Sequence, residues 1–302
     1  MELFVNSTID FLGKKKAALV ISLILIIVGV VAAVSIPLGK ANLGTDFAGG
    51  VAIQYRFENP FEMEQVREAL KSGGFEDADL QEFSGTTKLL VRVKRAEGNL
   101  SALSASIGDV FKTSMASNPY TIDLVNEVGP TIGAKLQKDA LWAIAVSLFG
   151  ILLYVAWRFE FRFGVSAVCA TFHDVLAVLG ILFILDKEIN LLIVTALLTV
   201  AGYSLTDTVV VFDRIRENLR VRNKEDLTPL INRSVNEVLS RTIVTSGTTL
   251  IVLVALIVLG GEVIHDFAVT LAFGVVVGTY SSIFVASPLL LLWKKGGKLI
   301  KE

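Results

Sequence analysis

The chain has 302 residues, of which 53% are hydrophobic and 19% are charged, and its formal net charge is −1. A mean hydropathy of +0.65 excludes an ordinary soluble domain and indicates an integral membrane protein. The single cysteine, Cys169, excludes a disulfide framework and a thiolate metal site.

The N-terminal part of the chain predicts a membrane anchor. Residues 1–16 form a short head that ends in three lysines, and Ala17–Ile36 is an uncharged, mostly apolar run. A run of this length can cross about 30 Å of hydrocarbon. A cleaved signal peptide is the alternative, but its apolar region usually has only about 7–15 residues. We therefore expect a cytoplasmic N-terminus at 1–16 and a retained transmembrane helix at 17–36.

Residues 37–139 have the composition of a water-exposed domain. From Lys40 to Asp139 there are 11 Lys or Arg, 14 Asp or Glu and no spanning run. Alternating and helical spacings predict six elements in the order β-α-β-β-α-β: Val51–Phe57, Phe61–Ser72, Ala78–Phe83, Lys88–Val93, Leu100–Met115 and Tyr120–Val125. This order is that of the ferredoxin-like fold, so we expect one α+β domain between the first two helices.

Five further apolar runs follow, which makes six transmembrane helices in all. They are Ala140–Trp157, Val165–Leu185, Ile189–Phe212, Thr242–Gly261 and Phe267–Trp293. Residues 140–302 thus hold helices 2–6 and a C-terminal tail. Segment 213–241 is long and basic, and its apolar residues have helical spacing, which predicts an amphipathic helix at the membrane surface: Leu227, Leu230, Ile231, Val235, Val238 and Leu239.

The distribution of basic residues predicts the orientation. If the N-terminus is cytoplasmic, the inside segments carry 16 Lys or Arg, whereas the two short outside loops carry one, Lys187. Both termini are therefore expected in the cytoplasm, and the domain at 37–139 in the periplasm.

Asp207 is the most informative residue because it lies within an apolar run, Leu191–Arg214. An ionised carboxylate at this depth costs about 2.5–3.5 kcal/mol on insertion scales. Thr199, Tyr203 and Thr206 share its helix face, so we expect this face to point into the protein or a wet cavity. Asp207 is then either part of a proton or ion relay or a polar contact that holds two helices together.

Arg241 and Thr245 follow at the start of the next span, where Thr245 lies one turn beyond Arg241. Arg241 is on the same side of the membrane as Asp207, so the two could pair across neighbouring helices. The alternative for Arg241 is an interfacial anchor. Gly274 and Gly278 predict a close helix contact in the last span.

His173 and Asp174 form a second ionisable pair within an apolar run. Neighbouring side chains on a helix point about 100° apart, so the pair is not expected to form a single site by itself. His173 is either a proton relay or a neutral, hydrogen-bonded residue of the bundle.

The sequence lacks the motifs of several enzyme classes. It has no Walker A motif, no HExxH and no GxGD pattern, and Ser204 has no obvious base. We expect no enzymatic site, no cofactor, no metal site and no nucleic-acid partner.

Several motifs carry a resemblance to a known family. They are Gly44–Gly50 (GTDFAGG), Val128–Pro130, the loop Trp157–Arg162, His173–Asp174, Gly202–Asn218 (GYSLTDTVVVFDRIREN) and Arg241–Ser246. Over essentially its full length, the chain resembles the SecF family of the bacterial Sec protein-export machinery. Thr45 stands where such families usually have isoleucine.

The resemblance implies an RND-type half of six helices, paired with SecD into a twelve-helix unit in the inner membrane. It implies that this unit uses the proton motive force to assist late export through SecYEG, with the translocating preprotein, other Sec accessory subunits and the lipid bilayer as partners. By motif position, the relay residues fall on Asp207 and Arg241, with Thr245 as a helper. A non-motor scaffold subunit and a small-molecule RND exporter are the alternatives.

Overall fold

The computed structural model describes residues 7–83, 85–94, 99–158, 160–221 and 226–293. Predictions for Ser84, Phe159, residues 1–6, 222–225 and the tail beyond 293 lie outside this part of the chain. The chain divides into two units. One is helical and contains residues 7–42, 142–187 and 192–293; the other contains residues 43–141 and 188–191.

Within the described residues, six helical stretches are long and apolar enough to cross a membrane: Leu12–Ser35, Pro130–Arg158, Phe161–Ile184, Leu191–Val221, Leu227–Leu259 and Ile264–Leu292. The helices that form them are α1 (Lys15–Ser35), α5 (Pro130–Arg158), α6 (Phe161–Ile184), α7 (Leu191–Val221), α8 (Leu227–Leu259) and α9 (Glu262–Ser281). A π-helical turn, Ser282–Ala286, continues α9 and is followed by a short α10 (Ser287–Leu289) and a 3₁₀ turn (Leu290–Trp293). Six candidate spans were predicted from the sequence.

The second unit is built on an antiparallel sheet. Its strands are β1 (Gly50–Phe57), β2 (Asp79–Glu82), β3 (Lys88–Lys94) and β4 (Tyr120–Val128), in the spatial order β2-β3-β1-β4. Its helices are α2 (Thr45–Ala48), α3 (Met63–Ser72) and α4 (Leu100–Ser114). The elements from β1 to β4 follow one another in the order that the sequence predicts.

The core of the sheet unit lies between the sheet and helices α3 and α4. Val51, Ile53 and Tyr55 pair across β1 and β3 with Val93, Val91 and Leu89. Val66 and Leu70 of α3 and Ile107 and Phe111 of α4 are buried against this face. On the exposed side, a hydrogen bond from Arg56 lowers the pKa of Asp123 in β4.

The helical unit depends on close approaches between helices. A Cβ at Gly29 of α1 would lie 2.2 Å from the Leu176 carbonyl oxygen of α6, and Gly180 packs against Gly29 in return. A Cβ at Gly274 would lie 2.0 Å from a Val200 methyl, and one at Gly278 would lie 3.0 Å from the Ser204 Cβ. Gly29 and Gly180 therefore let α1 approach α6 closely, and Gly274 and Gly278 let α9 approach α7 closely.

The basic segment 213–241 differs from the predicted surface helix. Residues up to Val221 continue α7, and Leu227 begins α8, which runs without a break to Leu259. The apolar residues Leu230, Ile231 and Val235 are buried in one cluster with the end of α7. Protein, rather than the membrane surface, covers them, because Phe212 and Ile215 offer an apolar face in the same cluster.

Candidate functional site

Asp207 lies inside the helical unit, with 8% of its surface exposed. The Thr242 hydroxyl of α8 donates to its Oδ1 at 2.9 Å, and the Ser282 hydroxyl donates to its Oδ2 at 2.7 Å. Three segments therefore meet at this carboxylate: α7, α8 and the π turn after α9. Hydroxyl donors stabilise a buried carboxylate, and they can rotate when it takes up a proton.

Arg241 and Thr245 do not contact this carboxylate. Within the described residues, Arg241 forms no ion pair with Asp207; its side chain is exposed on α8, next to the buried Thr242. The Thr245 hydroxyl donates to the carbonyl oxygens of Arg241 and Thr242. Burying Thr242 turns the neighbouring Arg241 away, since successive side chains on a helix point about 100° apart.

The polar residues of α7 do not all face the same environment, although the sequence predicts one polar face. Asp207 points into the unit, whereas Thr199 and Thr206 are exposed. Each of these two hydroxyls donates to the carbonyl four residues earlier, which satisfies it within its own helix. Tyr203 is half-buried and donates to Thr249 of α8 at 3.4 Å.

A second buried acid, Asp174, lies in α6. Its Oδ2 accepts from the hydroxyls of Ser204, on α7, and Ser281, at the end of α9. Its Oδ1 lies 2.8 Å from His173 Nδ1. The expectation that His173 and Asp174 form no common site is therefore wrong, because their side chains lie within hydrogen-bonding distance of each other.

Sequence reasoning did not find the hydroxyl partners Thr242, Ser204, Ser281 and Ser282. Serine and threonine are common in membrane helices, and nothing in their spacing marks these four. The only available signal was that Ser281 and Ser282 are adjacent polar residues in a mostly apolar span, two turns before Pro288.

Charged residues join α7 and α8 beyond Asp207, towards the C-terminal end of α7. Arg214 pairs with Glu217 at 2.6 Å and with Glu237 of α8 at 2.7 Å. Asn218 donates to Glu237 and to Ser234, and Asp213 lies 3.7 Å from Arg158 of α5. The ion pair between Arg214 and Glu237 joins the ends of the two helices that carry Asp207 and Thr242.

Comparison with known proteins identifies the family. The family described as protein export membrane protein SecD/SecF, C-terminal, matches residues 109–296. The protein translocase subunit SecF of Thermodesulfovibrio yellowstonii is 53% identical over 98% of both chains. The chain belongs to the SecF family. The SecF subunit of Magnetococcus marinus is 44% identical over 99% of this chain and 96% of its own.

A solved structure agrees with the SecF assignment. The crystal structure of SecDF from Thermus, a translocon-associated membrane protein, matches with a TM-score of 0.82 and 35% identity over 96% of this chain. This chain covers 39% of that SecDF chain. SecF members are protein translocase subunits, which indicates a transport role rather than catalysis. As a member of a family of translocase subunits, with six candidate spans among its described residues, the protein is an inner-membrane protein.

Proposed function

We propose that this SecF-family chain forms one half of a proton-driven unit with SecD, and that this unit assists late export of preproteins through SecYEG. Asp207 is the proton-loading group, Arg241 is the charge that responds to it, and Thr245 supports Arg241. The buried Asp207 carboxylate with its two hydroxyl donors on separate segments is the observation that carries the proposal.

Proton uptake at Asp207 changes what these donors contact. The ionised carboxylate accepts from Thr242 and Ser282 together, whereas the protonated acid itself becomes a donor and accepts more weakly. Loading the proton therefore loosens the tie between α7, α8 and the π turn. One charge that crosses 100 mV supplies about 2.3 kcal/mol, which biases a two-state change roughly fiftyfold.

Exposed small polar residues on α7 indicate where SecD packs. We call Thr195, Thr199, Gly202 and Thr206 the threonine face, and all four are exposed at helical spacing. Small residues allow close helix approach in membranes. The exposed Arg241 on α8 requires a polar or aqueous neighbour. A helix of SecD packed on the threonine face would complete the RND-type unit and bring polar groups of SecD towards Arg241.

The orientation belongs to the same proposal. The distribution of basic residues supports a cytoplasmic position for both termini, which would make the sheet unit a periplasmic, ferredoxin-like domain between the first two spans. On β4, Ile122, Leu124 and Val125 are exposed on an edge strand. An exposed apolar edge strand is suited to pairing with a further strand, from SecD or from a preprotein.

The test is completion of preprotein export in membrane vesicles that contain SecD and receive an imposed proton gradient. Asp207→Asn should remove the gradient-stimulated part of export, and Asp213→Asn, on the same helix but exposed, should keep it. Equal stimulation in both variants would overturn the proposal and leave a scaffold role, in which Asp207 only holds helices together.

A further inference from the structure

The second buried acid has no part in the relay proposed above, although it is more deeply buried than Asp207. Asp174 has no exposed surface and His173 is 2% exposed. Buried carboxylates without a cation are unfavourable in a membrane, and within the described residues His173 is the only basic group within 4 Å of Asp174.

The His173 ring has one nitrogen free to take up a proton. Nδ1 is engaged with Asp174, whereas Nε2 is buried and has no hydrogen-bond partner among the described residues. If Nδ1 carries the hydrogen that Asp174 accepts, Nε2 presents a lone pair. A proton from water that bonds to this lone pair converts a pair of net charge −1 into a neutral imidazolium–carboxylate pair, and release reverses the step.

Two consecutive serines link this pair to Asp207. The Ser281 hydroxyl lies 2.6 Å from Asp174 Oδ2, and the Ser282 hydroxyl lies 2.7 Å from Asp207 Oδ2. They occupy the junction at which α9 ends and the π-helical turn begins. Irregular turns of this kind occur often at functional sites. Any change in winding at this junction moves both hydroxyls.

Helix α7 provides a second connection. Ser204 donates to Asp174, and Asp207 follows three residues later on the same side of α7. In the part of the chain that the structure describes, the further groups at the pair include Tyr280 of α9, whose ring centroid is 6.3 Å from that of His173. The Tyr280 hydroxyl lies 3.0 Å from the Ser22 hydroxyl of α1. Between Ala18 and Ser35, α1 contains no charged residue.

We infer that His173 and Asp174 form a second proton-loading site, coupled to Asp207 through the Ser281–Ser282 junction. This inference rests on the proposed proton-driven function and adds a second acid to it. Because coupling between two binding equilibria is reciprocal, loading Asp207 changes the proton affinity of the pair, and loading the pair changes that of Asp207.

The experiment uses the fact that the chain has two histidines. In the full chain with His265→Gln, labelled with isotopic histidine and assembled in membranes with unlabelled SecD, nitrogen NMR reports His173 alone. We expect Nε2 to take up a proton as the pH is lowered. Asp207→Asn should shift the midpoint of this titration by about half a pH unit or more, which is about threefold in proton affinity. Asp213→Asn should leave it unchanged.

The junction is tested by a double-mutant cycle. Ser281→Ala and Ser282→Ala should each reduce the shift that Asp207→Asn causes. An Nε2 that stays unprotonated, equal midpoints in the Asp207→Asn and Asp213→Asn proteins, or a shift that neither serine affects would overturn the inference.

The two proposals fail in different ways. A His173 that titrates and responds to Asp207, in a protein whose export does not need Asp207, would retain the coupled site and remove the motor role. A His173 that does not titrate, in a protein whose export needs Asp207, would remove only the second site.

Discussion

At the residue scale, the hydroxyl groups around Asp207 determine whether it can remain ionised inside a membrane protein. Thr242 and Ser282 donate to different oxygens of the carboxylate and come from different segments. A hydrogen bond to a charged group contributes about 1.5–3 kcal/mol. The contribution of each hydroxyl is therefore large enough to change the balance between the ionised and the protonated state of Asp207.

Thr242→Val removes one donor and conserves the size of the side chain. We expect it to destabilise ionised Asp207 by about 1.5–3 kcal/mol and to remove most of the gradient-stimulated export. Thr242→Ser retains the hydroxyl and should retain most of the stimulation. Export in vesicles under an imposed gradient checks both variants; equal stimulation by valine and serine would show that this hydroxyl is not needed.

The sequence predicted Asp207 but not its partners. Asp207 is conspicuous because a carboxylate in an apolar run is costly wherever the helix packs. Thr242 and Ser282 are ordinary residues for a membrane helix, and only the packing of three segments brings them to the carboxylate. The same packing turns Arg241 outwards, which spacing along α8 could not indicate.

At the element scale, glycines set the distance between α7 and α9, which carry Asp207, Ser204 and Ser281 of the polar network. Ser204 lies opposite Gly278, and the same serine donates to Asp174. A larger residue at Gly278 therefore alters both the packing and the hydrogen bonds of the second acid.

Gly278→Ala should destabilise the helical unit by about 1–3 kcal/mol, because its Cβ would lie 3.0 Å from the Ser204 Cβ. Gly150→Ala is the matched control, since a Cβ at Gly150 of α5 meets no atom within 4 Å. Thermal unfolding of the purified proteins in detergent measures the difference. The packing argument is wrong if the two variants unfold at the same temperature.

Element boundaries show what periodicity can and cannot provide. The first span and the succession of strands and helices along residues 50–128 could be predicted, because long uncharged runs and alternation are local features of the sequence. The length of α7 and α8 could not be predicted in this way, because their charged ends are stabilised by contacts between helices, such as Arg214 with Glu237.

At the scale of the whole molecule, the exposed threonine face marks the side on which a partner helix is expected. A Cβ at Gly202 meets no atom of this chain within 4 Å. A larger side chain there has room within the subunit but would collide with a closely packed helix.

Gly202→Leu should therefore prevent recovery of the chain with SecD while the thermal stability of the subunit alone stays unchanged. Gly150→Leu, on the exposed α5, should affect neither property. Co-purification from membranes measures recovery. Normal recovery of the Gly202→Leu protein would place SecD elsewhere.

The orientation can be tested with single cysteines. After Cys169→Ser, Thr113→Cys on α4 should react with a membrane-impermeant maleimide added from the periplasmic side, and Arg220→Cys near the end of α7 should react only after permeabilisation. The opposite pattern would reverse the assignment of the two sides.

The central claim is that Asp207 binds and releases a proton, and infrared titration of the carboxylic-acid C=O band measures this most directly. Membranes containing the chain and SecD would be titrated for the intact protein and for Asp207→Asn. The account predicts a band that appears as the pH falls in the intact protein and is missing from the variant. Identical bands in both proteins across the titration would contradict it.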